Sequence, residues 1–549
     1  MKKSMKVVAL VMVTAFLLTA CTKQAKESKI VVTDKLDHMP TLVGANVPNF
    51  PLSTDGVTLN ILSTQYDDID PNDVFVWQQY REMSGVTVNF TGVNRDERTE
   101  AVYNALLNNQ PYDLFMRCKL SSRLLTQYGE AGMILDLTDD DLLATYAPNC
   151  WAYLQSHPEA LASVMNPDGS IYSIPQINSG AELRVALKLF VNKNWLENVG
   201  MELPTTTKEL YTLLVAFKEQ DANGNGDTTD EIPLCTQDWS SCWYSLAGAF
   251  GLMNRGYHNT TIDFDEATGS ARIFAASDSY RDMLSYFHTL YTEGLLDSNV
   301  FSISNDMWKN NIENDVIGIF ASTNLAWVPE AQQNDWIAID EALEGPNGDK
   351  LWSPIRADFH SAGAAVIPAS CKDPALVLQW LDYFWTDEGS LFYHMGIEGE
   401  TFVANDNGTF DYTEDIYNEM STNNLSFDDV IAQYSPYPGG SNPTVEIAPY
   451  FMGGEMAEIP AAAARSLIQY GPTEYWPSFT FDVASNERLD MLKTDFDKYI
   501  DTMQIEFITG TTSFDNWDEY LAQLDALHMD EILSLYEVAI ERYEAMKVE

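Results

Sequence analysis

The chain has 549 residues, with 31 basic and 81 acidic side chains that give a formal charge of −50 at pH 7. A charge of this sign repels nucleic acid, so we expect no nucleic-acid partner. A hydrophobic fraction of 45% excludes a disordered acidic chain, and the length is enough for about two or three folded domains.

The first 20 residues have the pattern of a secretory signal peptide. Lysines at positions 2, 3 and 6 precede an apolar run at 7–18. That run is too short to cross a bilayer, which needs about 20 apolar residues. It ends in Leu-Thr-Ala-Cys at 18–21, which resembles a bacterial lipobox.

The lipobox resemblance implies that Cys21 is diacylated, with acyl chains such as palmitate, and becomes the mature N-terminus. Two acyl chains hold a protein on a membrane where one would be marginal. Residues 21–55 then form a tether. We expect a protein on the extracellular face of the cytoplasmic membrane, in contact with lipid through the anchor only. The alternative is ordinary secretion with a chance cysteine.

The next elements in the chain predict a parallel sheet. Residues 58–62 have a strand pattern, 74–83 a helix pattern and 85–90 a second strand pattern, which together make a βαβ unit. A helix at 97–108 then leads into a strand at 112–116. Ligands of open α/β sheets bind outside the carboxyl ends of the strands. This places Gln65, Tyr66 and Arg117 on the predicted binding rim.

The rest of the chain continues the α/β pattern and ends in helix. The predicted strands are 187–192, 316–320 and 364–368, and the predicted helices are 210–220, 374–385 and an amphipathic 515–546. Beyond Cys21 there are five cysteines, without CxxC spacing, so a zinc site is not expected. Cys235 and Cys242 are either a disulfide pair or two buried thiols.

Several motifs occur in a recognisable order. They are Asp-Gly-Ser-Ile-Tyr-Ser-Ile-Pro at 168–175, Phe-Val-Asn-Lys-Asn-Trp-Leu-Glu-Asn-Val-Gly at 190–200, Gly-Ile-Glu-Gly-Glu at 396–400 and Phe-Ile-Thr-Gly at 507–510. The ordered set resembles the extracellular solute-binding proteins, family 1, of carbohydrate ABC transporters. The resemblance implies a monomeric binding protein and no enzyme.

The resemblance also implies an α/β, two-lobed periplasmic-binding-protein-like fold of type II-like arrangement, with a C-terminal helical segment. Lobe 1 would begin at 56–175 and lobe 2 would comprise 176–355. Residues 356–549 would return to lobe 1 and supply C-terminal helices shared between the lobes. Such a protein closes on a sugar or oligosaccharide and then docks on the permease subunits of an ABC transporter.

The segment 221–231 predicts a structural calcium site. Asp221, Asn223 and Asn225 place oxygens at positions 1, 3 and 5, with glycine at position 6, as in an EF-hand loop. Position 12 is Ile232 in place of the bidentate glutamate. Acidic residues just before it complete the predicted ligand set, which is Asp221, Asn223, Asn225, Asp227, Asp230 and Glu231. Relatives in the resembled family carry a similar loop, usually one residue shorter. The alternative is an Asx-rich turn without metal.

The predicted sugar cleft rests on aromatic and cationic side chains, because sugar rings pair with aromatic platforms and polar groups. Four tryptophans lie in polar, loop-like sequence, and each is otherwise a packed loop anchor: Trp239, Trp243, Trp327 and Trp352. Arg117 and Arg356 are scarce cations that could bind a carboxylate or sulfate of an acidic sugar. Their alternative is an ion pair with a neighbouring carboxylate.

Two other functions remain open from the sequence. A peptide-binding lipoprotein would share the signal peptide and the fold. A secreted glycoside hydrolase would need two carboxylates flanking the scissile bond, and 81 acidic residues supply candidate pairs everywhere. No nucleophile elbow, HExxH motif or P-loop is present. We therefore expect a binding protein.

Overall fold

A computed structural model describes residues 47–406, 409–423, 425–450 and 454–547. The predicted signal peptide, Cys21 and most of the predicted tether lie outside these residues. Within them, no helix combines the length and the apolar character needed to cross a membrane.

The described residues form 14 strands. In chain order they are β1 (Thr58–Thr64), β2 (Thr87–Val93), β3 (Leu114–Leu120), β4 (Ile174–Ser179), β5 (Lys188–Asn192), β6 (Ile232–Leu234), β7 (Ile262–Asp265), β8 (Ser270–Ile273), β9 (Ile317–Ser322), β10 (Trp336–Ala338), β11 (Ser361–Val366), β12 (Phe402–Ala404), β13 (Phe410–Tyr412) and β14 (Val445–Ile447).

The same residues form 20 α-helices. They are α1 (Phe75–Ser84), α2 (Arg98–Leu107), α3 (Ser122–Glu130), α4 (Leu142–Tyr146), α5 (Pro148–Ser156), α6 (Pro158–Ala162), α7 (Ala181–Arg184), α8 (Lys193–Val199), α9 (Thr207–Glu219), α10 (Trp239–Ala247), α11 (Asp278–Thr292), α12 (Asn305–Glu313), α13 (Pro374–Asp382), α14 (Asp387–Met395), α15 (Glu414–Asn423), α16 (Phe427–Tyr434), α17 (Glu458–Leu467), α18 (Val483–Thr509), α19 (Trp517–Ala526) and α20 (Met529–Met546).

The larger sheet has the strand order β14-β4-β11-β3-β1-β2 and forms the centre of lobe 1. Strand β1 pairs in parallel with both β2 and β3, which confirms the predicted βαβ unit. Helix α1 covers this sheet with side chains at helical spacing, and its Trp77 stacks on Trp380 of α13 with ring centroids 5.5 Å apart. Burial of these aromatic rings contributes much of the lobe 1 core.

The smaller sheet, at the centre of lobe 2, has the order β10-β5-β9-β6. The chain leaves the larger sheet after β4 and returns to it with β11. It leaves again after β14, because α17 packs on β5 and β10. Strand β4 extends to Ser179, beyond the predicted lobe 1 boundary at residue 175. Two lobes joined by crossing segments confirm the predicted fold class.

The C-terminal helices pack mainly on lobe 2. Helix α18 is 27 residues long, packs along α11 and also contacts α3 of lobe 1. The sequence did not predict it, because charged and polar residues interrupt its apolar spacing. The single helix predicted at 515–546 was wrong in its continuity, since His528 has a φ of 63° and separates α19 from α20.

Candidate functional site

The carboxyl ends of β1, β2 and β3 meet at one edge of the larger sheet because the three strands are parallel. Gln65 and Tyr66 directly follow β1, and Arg117 is the central residue of β3. These three side chains line one small pocket, opposite Pro436 and Pro438. The structure thus brings this group of predicted ligand residues together.

Arg117 is buried and fastens the chain around it. Its Nη1 donates to the Thr64 carbonyl at 3.2 Å, its Nε to the Gly440 carbonyl at 3.4 Å, and its Nη2 to the Pro438 carbonyl. Burial lowers the pKa of its guanidinium. The alternative that Arg117 forms an ion pair is wrong within the described residues, because its partners are carbonyls. Its contact with a ligand stays a prediction.

Two crossing segments are joined to each other near Arg356. Val185 and Ile355 form an antiparallel bridge. The Arg356 N–H donates to the Arg184 carbonyl at 3.0 Å, and the Arg184 Nε donates to the Arg356 carbonyl at 2.8 Å. Arg184 also pairs with Asp358 at 3.1 Å. These bonds fix the backbone of Arg356 between the lobes and do not involve its guanidinium.

The guanidinium of Arg356 lies over the ring of Tyr257, with Cζ 5.3 Å from the ring centroid. This is a cation–π contact. In the part of the chain that the structure describes, Arg356 forms no ion pair, so the alternative predicted for it is wrong there. Tyr257 donates its N–H to the Ile355 carbonyl at 3.0 Å, which holds the ring beside the crossing segment.

Two histidines face the same region. The Nε2 of His258 and the Nδ1 of His360 are buried and have no hydrogen-bond partner. Burial, with repulsion from the Arg356 charge, lowers the pKa of His258 to about 3 and that of His360 to about 4. Both rings are therefore neutral near pH 7. The sequence did not indicate them, because only the fold brings residues 257–258 beside 356–360.

Trp239 and Trp243 lie on helix α10, which corrects their assignment to a loop. Asp238 caps this helix by accepting the Ser241 N–H at 2.8 Å. Both rings line a groove of about 610 Å³ between α10 and the C-terminal helices, with His258 also on its wall. Trp239 donates Nε1 to Gln504 of α18 at 2.7 Å. Their contact with a sugar stays a prediction.

The two remaining predicted tryptophans occupy opposite environments. Trp327 follows β9 and is 46% exposed, and its contact with a ligand stays a prediction. Trp352 is 1% exposed, and its Nε1 donates to the Leu187 carbonyl at 2.9 Å. The prediction that Trp352 contacts the ligand was wrong, because its ring is in the lobe 2 core and its only polar atom is already bonded.

The predicted calcium loop is a tight turn of hydrogen bonds. The Gly226 N–H donates to Asp221 Oδ2 at 2.9 Å, and Asn225 Nδ2 donates to Asp230 Oδ2 at 2.8 Å. The Asn223 side-chain oxygen accepts the Asn225 N–H at 3.0 Å. Asp227 Oδ1 accepts the N–H of Thr229 at 3.0 Å. All six predicted ligand residues therefore belong to one compact loop directly after α9.

Two oxygens in that loop lack partners. Asp221 Oδ1 and Glu231 Oε2 are buried and accept no hydrogen bond, although Glu231 Oε1 accepts the Ala222 N–H at 3.1 Å. Burial, and then the charges of Asp230 and Asp221, raises the pKa of Glu231. A buried carboxylate oxygen without a donor is costly, and a hard cation would satisfy it. Among the described residues, no three His, Cys, Asp or Glu side chains are grouped closely enough to hold a metal by themselves.

The cysteines of the folded part are thiols. Cys235 and Cys242 are both buried and free, so of the two open alternatives the structure has the unpaired one. Cys235 Sγ donates to Asp297 at 3.3 Å. Burial raises the pKa of the Cys371 thiol to about 11 and that of Cys118 to about 12, which leaves these thiols protonated and unreactive.

Residues 73–390 match the family model of the bacterial extracellular solute-binding protein. The chain belongs to this family. It is 23% identical over 500 residues to the fructooligosaccharide ABC transporter substrate-binding protein FusA of Streptococcus pneumoniae, and the match covers 87% of this chain and 88% of FusA.

Several solved structures have the same fold as this chain. One is a solute-binding protein from Bifidobacterium longum infantis, described as HMO-binding and ABC-transporter-associated, with a TM-score of 0.73 at 18% identity. The match covers 90% of this chain and 99% of the Bifidobacterium chain. Another is a FusA EF-hand mutant in complex with fructo-nystose, with a TM-score of 0.68 at 21% identity over 89% of this chain and 99% of that one.

Proposed function

We propose that this chain is the sugar-capturing lipoprotein of an ABC importer. It binds a sugar or oligosaccharide between its lobes and delivers it to the permease subunits as a monomer. The observation that carries this function is a group of polar atoms at the lobe junction. His258 Nε2 and His360 Nδ1 have no hydrogen-bond partner, and the Arg356 guanidinium lies beside them over the ring of Tyr257. Sugar hydroxyls both donate and accept hydrogen bonds, so they complement such a group.

The family relationship supports sugar transport over the two alternatives. FusA is named for fructooligosaccharide, and the Bifidobacterium protein is described as HMO-binding. A peptide ligand would lie extended and bond through its backbone, which calls for an open strand edge. A hydrolase would release cleaved sugar. Both alternatives therefore predict results that differ from sugar capture.

The experiment is thermal unfolding of the protein from residue 47 onward against a panel of oligosaccharides. We expect one sugar to raise the melting temperature and to be recovered uncleaved, because a ligand that binds only the folded state stabilises it. Trp327→Ala should weaken the binding of that sugar. Tyr103→Ala removes a similarly exposed ring on α2 and should leave the binding unchanged. Cleaved sugar would support the hydrolase, and no shift with any sugar would exclude sugar capture.

We propose further that Cys21 carries the lipid anchor, since it follows an apolar run and small residues in the lipobox order. Cys21→Ser should move the protein from the membrane fraction to the medium, and mass spectrometry of the wild-type N-terminus should show diacylation. Retention of the variant on the membrane would contradict the anchor.

The loop 221–231 is proposed to hold a structural calcium ion. The partnerless oxygens of Asp221 and Glu231 fit a hard cation, and Asn223, Asn225, Asp227 and Asp230 supply the other side-chain oxygens. The description of the FusA variant as an EF-hand mutant supports a loop of this kind in a relative. A bound ion would neutralise the mutual repulsion of these carboxylates and pin the loop to α9.

A further inference from the structure

Four cations at the cleft edge of lobe 1 have no counterion in the described part of the chain. Arg95 and Arg98 lie just after β2, Lys119 lies in β3, and Arg356 lies in the crossing segment. None of their side chains forms an ion pair or a hydrogen bond with a described residue. In a chain with 81 acidic residues, cations normally find carboxylates, as Arg255 and Arg272 do here.

The strand geometry places these cations near one another. The ends of β2 and β3 share an edge of the sheet, and β11 pairs with β3 so that Gly363 lies opposite Leu120. The start of β11, and the segment before it with Arg356, therefore lies beside Lys119. Burial, and then repulsion from Arg98, Arg95 and Arg356, lowers the pKa of Lys119, as expected for mutual proximity.

The carboxylates nearby do not neutralise the group. Glu446 is buried and accepts a hydrogen bond from Asn442 at 2.6 Å, with His394 Nε2 3.6 Å away. Glu455 attracts Arg356 but lies beyond ion-pair distance. Asp96 attracts Arg98 but forms no ion pair with it. Clustered like charges without a counterion are unfavourable, and a bound anion would reverse that.

We infer, on the basis of the proposed function, that the captured sugar is acidic and carries a carboxylate or sulfate. The anionic group binds Arg356 and Lys119, and the sugar ring bearing it lies near Tyr257. The neutral rings of His258 and His360 supply hydrogen bonds to the hydroxyls. The planar guanidinium of Arg356 can hold an acidic oxygen pair through two parallel bonds.

The test uses matched sugars. Trigalacturonate is compared by calorimetry with its methyl ester, and a sulfated chondroitin disaccharide with its desulfated form. We expect an anionic member to bind at least tenfold more tightly than its neutral or desulfated partner, with affinity that falls as salt rises. A difference within the trigalacturonate pair would identify the acidic group as a carboxylate, and a difference within the chondroitin pair would identify it as a sulfate.

Variants then assign the residues. Arg356→Gln and Lys119→Gln should each lower the affinity for the anionic sugar about tenfold to hundredfold, which is the usual effect of losing a charge-assisted hydrogen bond. Lys372→Gln is the control. Lys372 is exposed and follows the end of β11 that is farther from Lys119, so this substitution removes the same charge at the opposite edge of the sheet. Circular dichroism confirms that each variant is folded.

Other outcomes distinguish failure of the acidic-ligand inference from failure of the sugar-binding function. Binding of neutral sugars alone, or equal affinity within both pairs, would overturn the acidic ligand and leave the sugar-binding function intact. Failure of every sugar to bind would overturn both. Unchanged affinity of Arg356→Gln and Lys119→Gln for an anionic sugar would place its acidic group elsewhere and overturn the assigned site.

Discussion

At the scale of single residues, the neutral histidines of the lobe junction make stability depend on pH. Their pKa values, about 3 for His258 and about 4 for His360, are below the ordinary value of 6.5 because burial disfavours the charged form. Between the pKa of each ring in the folded protein and the ordinary value of 6.5, the unfolded chain therefore binds more protons than the folded one. The stability they contribute is complete above pH 6.5 and is lost as the pH falls.

The predicted loss is up to about 1.4 kcal/mol per pH unit for each ring. Urea unfolding at pH 7 and pH 5 should show it in the wild type, and the His258→Gln/His360→Gln variant should lose less between the two pH values. His528→Gln is the control, since that ring is 62% exposed. An equal loss in wild type and double variant would show that other groups account for the acid sensitivity.

Single residues also show what the sequence alone could not predict. Arg117 was singled out as a rare cation, yet three backbone carbonyls take its donors, and two of them come from residues more than 300 positions later in the chain. Trp352 has the same polar sequence surroundings as the exposed Trp327, but only tertiary packing buries it. Residue type and local polarity indicate a candidate, whereas its partners are set by distant segments.

At the scale of elements, the loop 221–231 should couple calcium to stability. We expect Ca²⁺ to raise the melting temperature by several degrees over a chelator-treated sample, because the ion binds the folded loop and satisfies Asp221 and Glu231. Glu231→Gln should abolish most of that difference. The effect is read by calorimetry with and without Ca²⁺.

A matched control for the loop is Asp265→Asn, which alters an Asx turn of the β7–β8 hairpin where the carboxylate accepts the Ala267 N–H at 2.9 Å. It should keep the full calcium shift. If Ca²⁺ stabilises the Glu231→Gln variant as much as the wild type, the ion is bound elsewhere. Loss of the shift in both variants would indicate a general effect of lobe 2 stability.

Elements with strong local patterns were the ones that the sequence predicted well. The strands and helices of the first βαβ unit, and α9 and α13, were found within a few residues, since apolar spacing and capping residues such as Thr206 and Asp373 mark them. Helix α18 was missed because it buries few side chains for its length. Helix α10 was missed because two tryptophans beside serines suggested a loop, and only the structure shows that Asp238 caps this helix.

At the scale of the whole molecule, the crossing segments allow the lobes to move as units. Each lobe has its own core, and Arg184, Asp358 and the Val185–Ile355 bridge tie the first two crossings together. Residues on both sides of the cleft, Lys119 on lobe 1 and Tyr257 on lobe 2, face the same crossing segment. A ligand that bonds to both sides binds a closed arrangement better than an open one.

Closure is therefore predicted to accompany ligand binding. Small-angle scattering should show a smaller radius of gyration once the sugar that raises the melting temperature is added, and no change with a sugar that does not. The reason is that a ligand shifts an equilibrium only through its differential affinity for the two states. Arg356→Gln, which removes a contact at the junction, should need proportionally more of the same sugar to reach the same radius. An unchanged radius at saturating sugar would mean that the ligand binds one lobe alone, and that the polar groups at the junction serve to hold the lobes in a fixed arrangement.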